Sequence, residues 1–208
     1  MDLGEDIRTT SERPIAYYLA QRQFTLAETR MIIDSLTAAQ FITKERTEAI
    51  KQKLVAMQCE HAGPMLISGI SVAKTENDEI STTTLAVCQA IQSGTKLKFQ
   101  YLDYDIQGQQ VLRHHGEYYS VSPYDLCCDN SRYYVTGWHD GRHRVCTFRL
   151  DKIINASVTD EAAIPAPEDY DPGKFGYKVI HMYDGPEVEV TLECHKSMME
   201  QLVDHYGR

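Results

Sequence analysis

The hydrophobic pattern of this sequence changes its period at residue 95, and this change limits the folds open to the chain. From there Leu97, Phe99 and Tyr101 alternate with Lys96, Lys98 and Gln100. Such alternation predicts a β-strand with one face in solvent. Further strands are predicted over 117–122, 124–128, 132–138, 144–149 and 153–159.

Turn-forming residues at Gly108, Asp129-Asn130 and Asp140-Gly141 separate these strands. Five or six short antiparallel strands within about 65 residues are typical of a small, strongly bent barrel or sandwich. We therefore expect the middle of the chain to be an antiparallel β-domain.

The residues ahead of the strands have helical spacing instead. Two helices are predicted, the second capped by Thr43, with inward apolar residues at Leu26, Ile33, Leu36, Ile50, Leu54 and Met57. A third helix is predicted over 82–92, with Leu85, Cys88 and Ile91 inward and Gly94 as its C-terminal cap. The residues 60–80 have the glycine, proline and charged residues of an exposed linker.

Beyond the strands, Pro165, Pro167 and Pro172 predict a second linker. After it come an alternating strand at Val188, Val190 and Leu192 and a helix with Met199, Leu202, Val203 and Tyr206 on one face. One strand and one helix cannot bury their apolar faces alone. This unit therefore packs on the barrel, pairs with another chain, or is the front of a larger domain, and we favour the last.

The charge and composition exclude several classes of protein. A net charge of −9 does not suit a chain that coats duplex DNA along its whole length, although residues 86–155 hold 8 basic and 7 acidic side chains. No apolar stretch is long enough for a membrane span and the acidic start is unlike a signal peptide, so a cytoplasmic protein is expected. The 6 cysteines form no CxxC pair, which favours reduced thiols over a zinc site or disulfides.

Alternation also decides which side chains of the predicted strands share a face. Tyr133 and Tyr134 point to opposite faces of one strand, and Arg144 and Arg149 to opposite faces of another. A strand pair can thus hold an arginine among tyrosines, which suits a planar anion because guanidinium binds phosphate or carboxylate and rings stack on bases. The alternative is that the tyrosines are half-buried strand residues and that Arg149 pairs with Asp151 or another nearby acid.

Other patterns for chemistry are weak. His114 and His115 point apart if they lie on a strand, and no third metal ligand follows at a suitable spacing. The sequence has no GxSxG elbow, P-loop or GxGxxG motif. We expect no enzymatic activity, no metal and no cofactor.

Four stretches, taken in order, resemble the WYL-domain transcriptional regulators of bacteria. They are Leu97-Lys98-Phe99-Gln100-Tyr101, Tyr119-Ser120-Val121-Ser122-Pro123-Tyr124, Tyr133-Tyr134-Val135 and Phe148-Arg149-Leu150-Asp151-Lys152. The sequence departs from the family pattern with Tyr133 in place of Trp, Val135 in place of Leu and Lys152 in place of Arg. The last change replaces a guanidinium group, which can donate two parallel hydrogen bonds, with an ammonium group, and this could change which ligand is bound.

The flanks extend this resemblance. Residues 17–24 and the following helix pair resemble the segment that joins a winged helix to the WYL domain, and 188–207 resembles the start of the WCX extension. The resemblance implies an α+β chain with a helical linker or dimerisation segment at 1–80, following a missing winged helix. It further implies a WYL domain at 81–160, built as a small antiparallel Sm-like or SH3-like β-barrel, and a linker with a truncated WCX extension, a partial βα unit, at 161–208.

The resemblance also implies a role, in which an anionic effector, single-stranded nucleic acid or a nucleotide, is sensed and the signal is relayed to DNA binding. Carried over by position, the ligand-binding residues are Arg149, Arg144, Tyr134, Tyr101, Tyr124, Ser122 and Lys152. The arginines would hold phosphate, the tyrosines would stack or hydrogen-bond, and Ser122 would donate. Operator DNA would be bound through the missing N-terminal domain, and a homodimer would match palindromic operators.

A different class of function is also open. The chain is then a protein–protein interaction or oligomerisation module without a small ligand, using the barrel edge or the acidic C-terminal segment. Salt separates the two, because phosphate binding weakens steeply as salt rises whereas an apolar interface does not.

Overall fold

The computed structural model describes residues 7–9, 17–19, 23–58, 60–66, 72–172, 191 and 193–206. They belong to two compact units, one ending at residue 74 and one beginning at residue 75. The first unit contains an antiparallel pair and helices, namely β1 (Ile7–Thr9), β2 (Tyr17–Leu19), α1 (Leu26–Ala38), α2 (Lys44–Ala56) and a 3-10 helix (Glu60–Leu66). In the described part of the chain, no helix is both long and apolar enough to cross a membrane.

Side-chain caps fix the starts of α1 and α2. The Thr25 hydroxyl accepts from the Glu28 amide at 3.2 Å, and the Glu28 carboxylate accepts from the Thr25 amide at 2.8 Å, which is a capping box. The Thr43 hydroxyl accepts from the Arg46 amide at 3.3 Å, so the cap predicted at Thr43 is confirmed. Met57 was expected to face inward, but it follows the last residue of α2 and is exposed.

The prediction of an exposed linker over 60–80 is wrong for part of that segment. Leu66 is buried against Ile33 of α1, with Leu26, Leu54 and Val55 packed around the pair. In the second unit the buried Asn77 donates its side-chain amide to the backbone oxygens of Asp151 and Ile153. Both ends of the segment are therefore fixed by contacts that are distant in sequence, while 67–71 lies outside the described residues.

The second unit is an α+β arrangement of a helix and a curled antiparallel sheet that forms a half-barrel. Its elements are α3 (Ile80–Ser93), β3 (Thr95–Tyr104), β4 (Gln110–Leu112), β5 (Tyr119–Asp129), β6 (Arg132–His139), β7 (Arg144–Arg149), β8 (Ile153–Ala162) and α4 (Met199–Tyr206). The strand order is β4-β3-β5-β6-β7, and β8 also pairs antiparallel with β3. The predicted strand at 188–192 lies outside the described residues, since only residue 191 of it is described.

Helix α3 begins two residues earlier than predicted and buries a different face. Gly94 caps it with a left-handed φ of 64°, as predicted. The residues turned inward are Ile80, Thr83, Val87 and Ala90, whereas Leu85 is 58% exposed and Cys88 is also exposed. With this face inward, helix α3 packs against β8, β5 and β3.

The two strands predicted over 117–122 and 124–128 are a single strand, β5. Pro123 pairs with Gly137 and Asp125 pairs with Thr136, so Tyr124 is an extra residue that forms a β-bulge. A Cβ atom on Gly137 would lie 2.3 Å from the backbone oxygen of Ser122, so only glycine permits this approach of β6 to β5. The bulge bends β5 where the sheet curls.

An aromatic core fills the concave side of the half-barrel. It consists of Phe99, Tyr101, Tyr119 and Phe148, whose ring centroids lie 5.2 to 6.5 Å apart. Leu97, Phe99 and Tyr101 are buried on β3, which confirms the face predicted from their alternation.

Candidate functional site

The pairing of β6 with β7 places Tyr134 directly opposite Arg149. Residues that face each other across a strand pair share one side of the sheet, as do alternate residues along each strand. We call this side of the sheet the arginine face. Its members are Arg132, Tyr134, Thr136 and Trp138 on β6 and Val145, Thr147 and Arg149 on β7.

Asp151 binds both arginines of this face. The Arg149 guanidinium donates from Nε to Oδ1 at 3.1 Å and from Nη2 to Oδ2 at 2.7 Å, and Arg132 donates from Nη1 to Oδ2 at 3.1 Å. The Asp151 side chain is only 4% exposed, while those of Arg149 and Arg132 are 31% and 27% exposed. One buried carboxylate thus holds two partly exposed guanidinium groups in fixed orientations.

The local charge balance favours an anion at this place. Two guanidinium cations share one carboxylate, so the group carries an excess positive charge at its solvent side. The hydrogen bonds that Arg149 donates to Asp151 raise the pKa of Arg149. Burial raises the pKa of Tyr134, which keeps that phenol neutral and able to donate. Guanidinium groups have further N–H donors beyond those directed at Asp151.

Tyr101 lies in the aromatic core and not on the arginine face. It is buried, and its hydroxyl accepts a hydrogen bond from the backbone amide of Arg149 at 3.2 Å. Burial raises the pKa of Tyr101 to about 12. The contact joins β3 to the end of β7 across the half-barrel. Because Tyr101 is buried, it has no exposed ring face for the stacking that is one of the two roles implied by the resemblance.

Lys152 belongs to a neighbouring group of side chains. Its ammonium lies 3.5 Å from the carboxylate of Asp103 and 5.5 Å from the ring centre of Tyr104. Arg113 approaches the same carboxylate at 3.8 Å. The pKa of Asp103 is lowered, chiefly by a hydrogen bond from the Tyr104 amide and further by these two cations, against the effect of burial.

Ser122 and Tyr124 are both bonded to the chain that follows β8. The Ser122 hydroxyl is fully buried and accepts from the Ile164 amide at 2.9 Å, and the Tyr124 hydroxyl donates to the backbone oxygen of Pro165 at 3.0 Å. The Tyr124 ring lies 5.2 Å from that of Tyr170. The segment predicted as a second linker therefore packs on the sheet as far as Tyr170.

Arg144 stands apart from the other predicted ligand residues. It is exposed at the opposite end of β7 and pairs with His139, five positions from Arg149. That separation corresponds to about 17 Å along a strand, and the two arginines point to opposite faces. No bulge on β7 brings them together, because the β6–β7 register is continuous.

Arg132 was missed by the sequence reasoning, although the signal was available. It is two residues before Tyr134 on β6, so strand alternation places it on the same face. The sequence indicates Asp151 only as a local partner of Arg149, because the burial of its carboxylate and its contact with Arg132 depend on tertiary structure.

His114 and His115 do not lie on a strand, contrary to the reasoning given for them. They occupy a tight turn with left-handed φ values of 51° and 56°. Across the residues that the structure describes, no three His, Cys, Asp or Glu side chains come close enough together to hold a metal ion.

Comparison with known proteins gives one family. Residues 82–158, from the first turn of α3 into β8, match the family model of the WYL domain. This part of the chain is therefore similar to the WYL domain. In its Phe148-Arg149-Leu150-Asp151-Lys152 run, Phe148 belongs to the aromatic core, Leu150 is fully buried, and Arg149 and Asp151 form the ion pair of the arginine face.

No curated protein matches the chain. One similar solved structure is Proteasome accessory factor B/C (PafBC) of Arthrobacter aurescens, which is 21% identical and has a TM-score of 0.36. The alignment covers 75% of this chain and 23% of that one, so this chain spans about a quarter of the length of that protein.

Proposed function

We propose that this chain is a sensing part of a bacterial transcriptional regulator and binds an anionic effector, single-stranded nucleic acid or a nucleotide, at the arginine face. The observation that carries the proposal is the pair of partly exposed guanidinium groups held by the buried carboxylate of Asp151 beside Tyr134.

A fixed pair of guanidinium groups is well suited to phosphate. Arginine side chains lose conformational entropy when they bind a ligand, and Asp151 has already restricted both of them in the free protein. Their remaining N–H groups offer charge-assisted hydrogen bonds. This arrangement favours binding to an anion over catalysis, for which we assign no residue.

The wider role is part of the proposal. The effector would alter how a preceding domain binds operator DNA, and the regulator would act as a cytoplasmic homodimer. Light scattering on this chain tests the last point, since a monomeric mass at all accessible concentrations would contradict a dimer formed by this part.

Fluorescence anisotropy with labelled single-stranded DNA and RNA oligomers tests the binding itself. We expect saturable binding that weakens as salt rises from low to moderate concentration. Arg149→Ala should weaken it by about ten-fold or more, because a forked charge-assisted contact is lost. Arg149→Lys keeps the positive charge but loses the two parallel N–H donors of the guanidinium group. Its affinity for the oligomer should therefore lie between those of wild type and Arg149→Ala.

Arg142→Ala is the matched control. It removes the same charge from an exposed turn beyond the arginine face and should leave affinity within about two-fold of wild type. Circular dichroism establishes that the variants are folded. Equal losses in Arg142→Ala and Arg149→Ala would contradict a specific site, and salt-insensitive binding would favour the interaction-module function.

A further inference from the structure

The chain after β8 crosses the sheet and lies over residues expected to meet the ligand. We call residues 163–170 the strap. Its Ile164 amide donates to the buried hydroxyl of Ser122 at 2.9 Å, and its Pro165 oxygen accepts from the Tyr124 hydroxyl at 3.0 Å. Tyr124 reaches the strap from the β-bulge in β5.

The far end of the strap reaches the middle of the arginine face. The ring of Tyr170 lies 5.2 Å from that of Tyr124. Burial raises the pKa of Tyr170 to about 12, with Asp125 and Cys127 adding to the rise and the nearby Thr136 opposing it. Tyr170 is therefore surrounded by residues of β5 and β6 on one side of the sheet.

These neighbours place the strap beside the proposed ligand site. Cys127 is paired directly with Tyr134, and Tyr134 is paired with Arg149. Thr136 follows Tyr134 on the same face after one alternation, about 7 Å further along β6. An extended ligand that lay on the arginine face and continued towards Ser122 would need the space that the strap occupies.

We propose that the strap is a displaceable cover that competes with the effector for the arginine face. This inference rests on the proposed function and adds a mechanism for relay. An effector long enough to pass Tyr134 would release the strap, and the release would change the position of the chain that follows it. Ser122 and Tyr124 then serve as anchors of the strap in the free protein.

Substitutions that loosen the strap are expected to tighten ligand binding, whereas substitutions of a ligand contact would weaken it. If Ser122 only donated to the ligand, Ser122→Ala would weaken binding. If Ser122 anchors the strap, Ser122→Ala removes the acceptor for the Ile164 amide and should tighten binding of a labelled single-stranded DNA oligomer by about three-fold. Tyr170→Ala, made on the strap itself, should tighten binding by about five-fold.

The experiment combines these affinities with hydrogen exchange measured by mass spectrometry on the full chain. Tyr118→Ala is the matched control because Tyr118 is an exposed tyrosine outside the strap and should leave affinity unchanged. Adding the DNA oligomer to wild type should speed exchange in the strap peptide, which contains the bonded Ile164 amide.

The possible results separate the two proposals. If Arg149→Ala loses binding but Ser122→Ala and Tyr170→Ala bind no more tightly than wild type, the cover is refuted and the ligand site stands. Strap exchange that does not rise with the oligomer also refutes the cover. If wild type and all variants fail to bind any oligomer, single-stranded nucleic acid is refuted as the effector, and the cover, which requires an extended ligand, is refuted with it.

Discussion

Asp151 is the residue on which the geometry of the arginine face depends. Its buried carboxylate accepts hydrogen bonds from Arg149 and Arg132, and its backbone oxygen accepts one from Asn77. Removing one partner from a buried ion pair leaves the other groups without compensation. The carboxylate therefore matters both for stability and for the orientation of the proposed ligand-binding groups.

Asp151→Ala should lower the free energy of unfolding by about 2 to 4 kcal/mol. This loss is smaller than for a fully buried ion pair, because both arginines are partly exposed and water can hydrate them when the carboxylate is removed. Urea denaturation measures the loss. Asp160→Ala, which removes an exposed carboxylate from β8, is the control and should change the value by less than about 0.5 kcal/mol. Similar effects for the two variants would contradict the role given to Asp151.

The pairing of β5 with β6 sets the curvature of the sheet. The bulge at Tyr124 bends β5, and the absence of a side chain at Gly137 lets the two backbones approach each other. These two features also determine where the strap and the arginine face meet, because Ser122, Tyr124 and Thr136 lie around them.

Gly137→Ala should destabilise the sheet by about 2 to 4 kcal/mol, since its Cβ would meet the Ser122 oxygen at 2.3 Å and the Pro123 Cα at 2.9 Å, both of them backbone atoms. Thermal unfolding followed by circular dichroism gives the size of the effect. Gly63→Ala is the matched control, because no atom lies within 4 Å of its added Cβ. A Gly137→Ala melting temperature equal to that of wild type would contradict the close approach.

At the scale of the whole molecule, the half-barrel is closed by a contact between distant parts of the chain. The Tyr101 hydroxyl on β3 accepts from the Arg149 amide at the end of β7. This bond is buried, and ionisation of the phenol would place a negative charge in the aromatic core. The closure is therefore sensitive to alkaline pH.

Stability should fall between about pH 10 and pH 12. Burial raises the pKa of Tyr101 to about 12 in the folded protein, whereas an unfolded tyrosine ionises near pH 10. In that window the unfolded state binds fewer protons than the folded state, so the free energy of unfolding decreases as pH rises, by about 2 to 3 kcal/mol from this group. Below about pH 10 this contribution to stability is fully present.

Tyr101→Phe tests this pH dependence with urea denaturation at a series of pH values. The variant loses the acceptor for the Arg149 amide and should be about 1 kcal/mol less stable than wild type at pH 8. Its stability should then decline less steeply above about pH 10. Tyr118→Phe, at an exposed tyrosine, is the control and should follow wild type. Parallel curves for wild type and Tyr101→Phe would show that Tyr101 does not titrate in this window.

The sequence predicted those parts of the fold that depend on neighbouring residues. Alternation identified β6 and β7 and the face shared by Tyr134 and Thr136, and the caps at Thr43 and Gly94 were recognised from residue type. The resemblance to the WYL domain agrees with the family match over 82–158. These features are local because strand alternation and helix capping involve residues within a few positions of each other.

Only the tertiary structure decided which of several possible faces is buried and which charged groups meet. It turned Thr83 and Val87 of α3 inward in place of Leu85, because the position of the sheet decides which face of the helix is buried. The tertiary structure also brings Arg132 to Asp151, 19 positions away, and the Ile164 amide of the strap to Ser122, 42 positions away. Hydrophobic periodicity carries no information about such pairs, because it fixes the direction of a side chain and not the partner that the fold places opposite it.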